Sequence, residues 1–479
     1  MSPSSNTLTV STGPLAEISI LDGSMNTVAQ SVGGLTKELS PGLYKVRVRN
    51  GPAVEEELVS LDKDRSIDVK TPPIFSPIPL EGTTRTHEYH MTRAANASRN
   101  PGVFLGQGSG LFVFCREWSA NGTGTSLNPA MGLSITDDRG NLLSDLGQTA
   151  DVDTSGDASA AWCAITAPGA YRLRLTSPNG AITERALFAS PNCQTQIFIL
   201  LAPPKSPEDS AFLPDVARGA VAISPTYSFD PRDRRTQLGE IARYALTQRR
   251  RVLTDELRQE IVNEKLGDPM LGLLGAHLVL RDEPENSDLF ATVTRNLWRL
   301  LGPDHPDLRV LCLRRKTPLP EVPRALDTPP MLRASWDLAV TASLEDPNSF
   351  PESGSVAEIA ERIAPTGAWL VWRREPSEEG MSASSGGVSS ALVQSLEDYV
   401  AARARLEAAR LASNQSILGH VSSAVWSVIS NGINRVRGRT NQPKQKLPSL
   451  DADDRAELGR VLGIPAPLLD SILGKIFDK

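Results

Sequence analysis

The sequence predicts a multidomain α+β protein: two N-terminal antiparallel β-sandwich modules, then an all-α domain and a C-terminal helical region. Residues 41–48 and 168–175 predict the β half, because each stretch opens with a Pro-Gly turn and an aromatic residue and then alternates apolar with basic residues. Such alternation places one row of side chains in a core and the other in water. Beyond residue 206, apolar residues recur at helical spacing behind capping residues, which predicts the helical half.

Length and composition limit the classes of function. A chain of 479 residues is too long for one core, and about three domains are expected. A net charge of −6 argues against a nucleic-acid partner. No signal peptide is visible in residues 1–13, no apolar run reaches the length of a membrane-spanning helix, and the four cysteines lie far apart. We therefore expect a cytoplasmic protein with reduced thiols.

Residues 1–72 are predicted to form the first β module, with a hairpin at Asn50-Gly51. A three-residue loop there would place Arg47 opposite Glu55 and Lys45 opposite Glu57 on the outer face. The same register would pair Tyr44 with Leu58 in the core and would turn Glu56 inward. The candidate strands are 16–21, 35–39, 43–49, 54–61 and 66–69.

Residues 73–81 hold several prolines and predict a stiff extended linker, after which 82–201 form a second, decorated β module. This second stretch repeats features of the first. Residues 133–137 echo 18–22, Asn141 echoes Asn26, and Glu184 with Leu187 echoes Glu55 with Leu58. Residues 147–160 are a polar insertion. The shared strands and turns indicate a duplication.

The Pro-Gly-x-Tyr strand of both copies resembles the PEGA and carboxypeptidase-regulatory-like β-sandwich domains. That resemblance implies accessory binding or spacer modules without catalytic residues. Of the two copies, the second is the better place to look for a recognition surface. Its outward row, Arg172 and Arg174, has only Glu184 as an evident neutralising acid.

Residues 206–374 are predicted to form the helical domain, beginning at the cap of Ser206-Pro207. The helix expected at 269–281 is apolar nearly all round and should be the buried centre of the domain. Gly272 and Gly275 within it would be justified by the close approach of a neighbouring helix. The helices are expected at 238–248, 254–265, 269–281, 287–301, 330–343 and 355–363.

The C-terminal region divides into a flexible linker at 375–390, a helical hairpin at 391–436, a basic linker at 437–450 and a short helical hairpin at 451–479. Fewer than thirty residues cannot bury a stable core alone, so the last hairpin must dock on something. The sequence makes its apolar positions candidates for binding another protein: Leu458, Leu462, Leu468, Leu469, Ile472, Leu473 and Ile476.

The helix expected at 415–436 has an apolar stripe and a basic end. This pattern is typical of a helix that lies on a membrane surface or in a partner's groove. The alternative is an ordinary antiparallel packing against 391–412. The residues that would serve the first reading are Leu418, Val421, Val425, Trp426, Ile429, Ile433, Arg435, Arg437 and Arg439.

No stretch completes a catalytic, cofactor or metal motif, so we predict no catalytic residue, no cofactor and no metal. The glycines at 106–110 run into a strand rather than a helix, which disfavours a phosphate loop. His87 and His90 would point to opposite faces of a strand and lack a third ligand. The cysteines and His277 are better explained as buried core residues, and the arginine runs at 232–235 and 249–251 as solvated helix ends.

Together these observations predict a non-catalytic protein–protein interaction protein: an adaptor, a regulatory subunit or a partner of an effector such as a protease. The order of its parts is similar in style to companion proteins of bacterial conflict systems built around caspase-like proteases. One alternative is a membrane-active effector released by cleavage or rearrangement at 375–390. A second alternative is an enzyme whose site is assembled from distant residues.

Overall fold

The computed structural model describes residues 5–83, 88–99, 108–117, 128–203, 212–248, 250–263, 267–315, 317–323, 326–360, 362–364, 367–374 and 452–469. The expected linker 375–390, hairpin 391–436 and basic linker 437–450 lie outside these ranges, and so do His87, Ile472, Leu473 and Ile476. All nine residues proposed for the membrane or partner helix, from Leu418 to Arg439, also lie outside them.

Several β-sheets occupy the N-terminal half and helices the C-terminal half, so the α+β class is confirmed. The strands are β1 Asn6–Ser11, β2 Glu17–Leu21, β3 Thr27–Val32, β4 Gly34–Leu39, β5 Gly42–Asn50, β6 Ala53–Leu61, β7 Arg65–Asp68, β8 Ser109–Arg116, β9 Leu133–Asp137, β10 Leu142–Asp145, β11 Asp151–Asp153, β12 Ser159–Thr166, β13 Gly169–Thr176, β14 Ile182–Ala189, β15 Gln194–Ala202, β16 Leu213–Pro214, β17 Ala220–Ser224 and β18 Val371–Arg374.

The helices are α1 Glu88–Ser98, α2 Leu146–Thr149, α3 Arg234–Thr247, α4 Asp255–Val262, α5 Pro269–Asp282, α6 Ser287–Leu301, α7 Pro306–Cys312, α8 Arg333–Glu345, α9 Ser355–Ala360 and α10 Ala452–Leu462, with a 3-10 turn at Pro347–Ser349. None of the described helices is long and apolar enough to cross a bilayer. The sequence predicted a purely helical domain at 206–374, but the strands β16, β17 and β18 lie within that stretch.

The chain divides into two compact units, each built from three segments. Unit 1 comprises Met1–Met131, Leu146–Gly169 and Ala189–Gly302; unit 2 comprises Gly132–Asp145, Ala170–Phe188 and Pro303–Lys479. The strands of 82–201, which the sequence suggested as one module, therefore contribute to sheets in both units.

Unit 1 begins with two sheets that share one core. The four-stranded sheet has the order β3-β2-β5-β6, and the three-stranded sheet the order β4-β1-β7. Leu8 and Val10 of β1 pack with Ile18, Val46 and Val59 of the larger sheet, and all five are buried. The alternation read from the sequence thus marks the inward row of β5.

The hairpin of this sheet has a different register from the one expected. Asn50 pairs with Ala53, so the loop holds two residues, and every cross-strand pair shifts by one position. Arg47 therefore lies opposite Glu56, whose carboxylate also contacts Lys45, and Tyr44 lies opposite Val59. The shift corrects the inward placement of Glu56: this side chain is exposed and lies among the basic row.

A six-stranded sheet with the order β11-β12-β8-β15-β16 continues unit 1, and β17 pairs with β15. The central strands β8 and β15 are parallel and buried on both faces. The proline-rich stretch at 73–81 does not cross open solvent as a linker. Ile78 and Leu80 enter the core of this sheet, and the Ser76 hydroxyl donates to Glu240 of α3 at 2.6 Å.

Helix α5 is the buried centre of the helices in unit 1, as expected, and contacts α3, α4, α6 and β17. The reason for Gly275 is also confirmed, because a Cβ atom there would lie 2.6 Å from Cγ2 of Ile261 in α4. The arginine runs are not merely solvated ends. Arg234 donates to the carbonyls of Pro14 and Val32 and pairs with Glu256, and Arg250 pairs with Glu17 at 2.6 Å.

Unit 2 holds a five-stranded sheet with the order β10-β9-β13-β14-β18 and the helices α7 to α10. Trp336, Phe350, Ile359, Trp372 and Leu458 are buried in one apolar cluster. Helix α10 packs on α8, where the Trp336 indole N–H donates to the carbonyl of Gly463 at 2.9 Å.

The duplication read from the sequence is visible as a repeated sheet. The order β3-β2-β5-β6 matches β10-β9-β13-β14 strand for strand. The turns after β2 and β9 are built alike, since Asp22 and Asp137 each accept the backbone N–H of the asparagine four residues on, Asn26 and Asn141. The second copy differs by one added strand, β18.

Candidate recognition site

The hairpin of β13 and β14 brings two arginines and one glutamate to the same face of the unit 2 sheet. Alternation along β13 turns Arg172 and Arg174 the same way. The Arg174 guanidinium donates from Nε to Glu184 Oε1 at 3.0 Å, and its Nη2 lies 2.9 Å from the same oxygen. Nη1 of Arg172 lies 4.0 Å from Glu184 Oε2. The sequence pointed to these three residues.

Strand β18 adds a third arginine and an indole. It pairs antiparallel with β14 and sets Trp372 directly opposite Glu184. The indole Nε1–H of Trp372 donates to Glu184 Oε2 at 2.7 Å, and Nε of Arg374 lies 3.2 Å from that oxygen. We call Arg172, Arg174, Arg374 and Glu184 the arginine cluster.

The carboxylate at the centre of the arginine cluster is buried, while the guanidinium groups lead outward. The Glu184 side chain is 0% exposed, whereas those of Arg172, Arg174 and Arg374 are 9%, 24% and 27% exposed. Arg172 is anchored further by donating to the carbonyl of Asp138 at 2.8 Å. Two guanidinium groups therefore reach solvent from a fixed base.

The electrostatics of the cluster favour an ionised glutamate. Burial alone would raise the pKa of Glu184. The charges of Arg374 and Arg174 and the hydrogen bond from the Trp372 N–H outweigh burial, so the pKa is lowered. Burial lowers the pKa of Arg172; Glu184 opposes that change, and Arg374 adds to it. Three cations against one internal carboxylate leave excess positive charge, and Glu358 of α9 offsets part of it at Arg172.

The first copy offers a comparison within the same chain. There Lys45 and Arg47 contact Glu56, with Arg47 Nε 2.7 Å from Glu56 Oε1, so the pattern of two basic residues around one glutamate is repeated. Glu56 is 36% exposed, and no other described strand pairs with the far side of β6. The second copy thus becomes a buried, cation-rich cluster because β18 covers it and adds Arg374.

Sequence reasoning missed Trp372 and Arg374 because residues 367–374 were read as the end of the helical region. The signal was present. Trp369-Leu370-Val371-Trp372 is a short apolar run rich in aromatic and β-branched residues, which is typical of a strand.

The described part of the predicted C-terminal docking hairpin packs within unit 2. Leu458, Leu462, Leu468 and Leu469 are buried in the same cluster as Trp336. Their binding to another protein stays a prediction, and it would require this segment to leave its own core.

The four thiols and two of the described histidines, His90 and His277, are wholly or largely buried. Burial raises the pKa of Cys163 to about 11, of Cys193 to about 12 and of Cys312 to about 11, and also raises that of Cys115. Burial lowers the pKa of His277 to about 4. His90 lies on α1 rather than on a strand and is buried. Among the described residues, no three His, Cys, Asp or Glu side chains are placed to hold a metal ion.

A cleft of about 550 Å³ in unit 1 is lined by residues of α1 and β11. Its arginine, Arg93, already pairs with Asp151 and Asp153 at 3.2 Å and 3.6 Å. The cleft therefore has less unbalanced charge to offer a ligand than the arginine cluster.

Comparison with known proteins gives no further guide. No family model matches this chain. A search of the curated proteins likewise found no match.

Proposed function

We propose that this chain is a non-catalytic protein-recognition protein, an adaptor or regulatory partner, and that its arginine cluster binds an acidic segment of another protein. The observation that carries the proposal is the third arginine. Arg374 contacts the internal carboxylate of Glu184, which Arg174 already contacts. One carboxylate cannot accept all the N–H groups of these guanidinium groups, so some remain to bind a partner. Arginine is the side chain best suited to bind carboxylates in a bidentate manner.

The architecture supports a binding role for the repeated part. We infer that both copies derive from one β-sandwich module, and that the second was adapted for recognition by the added β18. Arg172, Arg174 and Arg374 lie on strands that are paired within one sheet. The sheet holds their guanidinium groups in place, so little side-chain entropy is lost on binding. The unreactive thiols and the low pKa of His277 support a role other than nucleophilic or acid–base catalysis.

The test is capture of the partner from cells that express the native chain. Arg374→Gln is the variant of choice, because Glu184 keeps Arg172 and Arg174 as counterions and the fold is retained. Arg373→Gln is the matched control, since Arg373 is the exposed neighbour on the same strand, opposite Thr183. We expect Arg374→Gln to lose the captured protein and Arg373→Gln to keep it, in a salt-dependent manner. Equal capture by both variants would reject the site.

A further inference from the structure

Among the described residues, no strand takes the position in the first copy that β18 takes in the second. In both copies an arginine of the first hairpin strand, Arg47 or Arg174, donates Nε–H to a glutamate of the next strand, Glu56 or Glu184. This common contact aligns residues 54–61 of β6 with Ile182–Ala189 of β14, so Glu184 corresponds to Glu56 and not to Glu55 as the sequence suggested. The two strands are therefore equivalent positions in a repeated sheet.

The residues that β18 covers in one copy are exposed in the other. Strand β18 pairs with the first four residues of β14, from Ile182 to Arg185. Their counterparts in β6 are all exposed: Val54, Glu55, Glu56 and Glu57. The contrast is large for the apolar members, since Val54 is 40% exposed and Ile182 3%, while the next residue, Leu58, is 67% exposed and Ala186 2%. The edge of β6 resembles that of β14 with its neighbouring strand removed.

We propose that β6 binds an extended, basic segment of a partner protein as a fifth strand, in the manner in which β14 binds β18. Backbone N–H and C=O groups along the far edge of β6 would supply the ladder. The acidic side chains of β6 favour a partner strand with positive charge. Glu55 has no ion-pair partner among the described residues, and Glu57 has only Arg65 at 3.5 Å, with both side chains more than 40% exposed.

The same glutamates disfavour pairing with a second copy. Two β6 edges brought together would set rows of glutamate against each other, and charged residues on an edge are a common defence against such association. A strand with lysine or arginine opposite Glu55 and Glu57 would instead gain from them. Repulsion of the wrong partner and attraction of the right one thus come from the same residues.

The test uses a fluorescent peptide of about eight residues that alternates arginine with valine, long enough for a strand. We expect it to bind the full chain and to bind Glu55→Lys/Glu57→Lys at least about tenfold more weakly. The matched control is Glu38→Lys/Asp68→Lys, which makes the same charge change at exposed positions of the other sheet of this module. That control should keep the affinity within about twofold of the native chain.

Hydrogen exchange separates strand addition from simple charge attraction. Addition of the peptide should protect those backbone amides of residues 54–58 that point away from β5 in the native chain. Absence of binding, equal loss in both double variants, or unprotected amides in β6 would overturn the proposal. Self-association that Glu55→Lys/Glu57→Lys abolishes would also overturn it, by making a second copy the occupant. A basic peptide is not attracted to the arginine cluster, so this outcome is independent of the proposed function.

Discussion

At the scale of single residues, burial determines how much each of the two repeated glutamate–arginine contacts contributes to stability. Glu56 and Glu184 occupy equivalent positions and accept from equivalent arginines, but Glu56 is exposed and Glu184 is not. An exposed pair exchanges water for a partner at little net gain. A buried carboxylate among three guanidinium groups leaves uncompensated charge when it is removed.

We predict that Glu184→Gln lowers the free energy of unfolding by about 3 kcal/mol or more, because the arginine cluster loses its buried counterion. Glu56→Gln is the matched control and should have a much smaller effect. Urea unfolding of both variants at pH 7 measures the difference. The pKa of Glu184 is lowered in the fold, so its contribution is complete above the ordinary carboxyl pKa and is lost as the pH falls through the lowered one. Equal losses for the two variants would contradict the role of burial.

A second residue-scale prediction concerns the cap of α5. Asp268 is buried, and its carboxylate accepts the N–H of Met270 and of Ile223. Burial raises its pKa from 3.8 to about 7. The folded state therefore binds the proton more tightly than the unfolded chain, and this group makes stability fall as the pH rises from about 4 to about 7. Asp268→Asn should flatten that decline while still capping the helix.

The measurement is the urea midpoint of the native chain and of Asp268→Asn at pH 5 and at pH 8. Asp22→Asn is the control, because hydrogen bonds from Asn26 lower the pKa of Asp22 below 3.8 and this group should not alter the difference between pH 5 and pH 8. An equal decline in Asp268→Asn and in the native chain would show that this carboxyl is already ionised in the fold at pH 5.

At the scale of elements, the sequence predicted helices by their caps and strands by their alternation. The expected helix 287–301 matches α6, and α5 extends one residue beyond its expected end. The hairpin register could not be deduced in the same way, because a loop of two residues or of three satisfies the Asn-Gly signal equally. Strand β18 was missed because a strand of only four residues shows little periodicity. Its partner β14 also lies almost 190 positions earlier in the chain.

Gly275 tests the packing of α4 on α5. We predict that Gly275→Ala lowers the free energy of unfolding by about 1–3 kcal/mol, although alanine is the better helix former, because the new Cβ would overlap Ile261. In an Ile261→Ala background the same change should be neutral or stabilising. A loss of equal size in both backgrounds would place its cause elsewhere than in this contact.

At the scale of the whole molecule, each compact unit gathers segments that are distant in sequence. Sequence reasoning divided the chain in order along its length, since local patterns carry no information about which strands return to the same sheet. Unit 2 is closed by residues 452–469, which follow Arg374 only after a long interval. Its stability should therefore depend on α10.

We predict that Leu458→Ala lowers the free energy of unfolding of unit 2 by about 2–5 kcal/mol, because Leu458 is fully buried beside Trp336. Arg460→Ala, an exposed change on the same helix, is the control and should have little effect. Tryptophan fluorescence during urea unfolding reports the transition, because three of the seven tryptophans of the chain, Trp336, Trp369 and Trp372, are buried in unit 2. A Leu458→Ala chain as stable as the control would show that α10 does not complete this core.

The proposed recognition of a partner's carboxylates by the arginine cluster can be tested in solution. Its most direct measurement is titration of the full chain with a fluorescent glutamate-rich peptide, compared among the native chain, Arg374→Gln and Arg373→Gln. We predict saturable binding that weakens with salt, at least about fivefold weaker for Arg374→Gln and within about twofold of native for Arg373→Gln. No binding to the native chain, or equal affinity of the two variants, would contradict the claim.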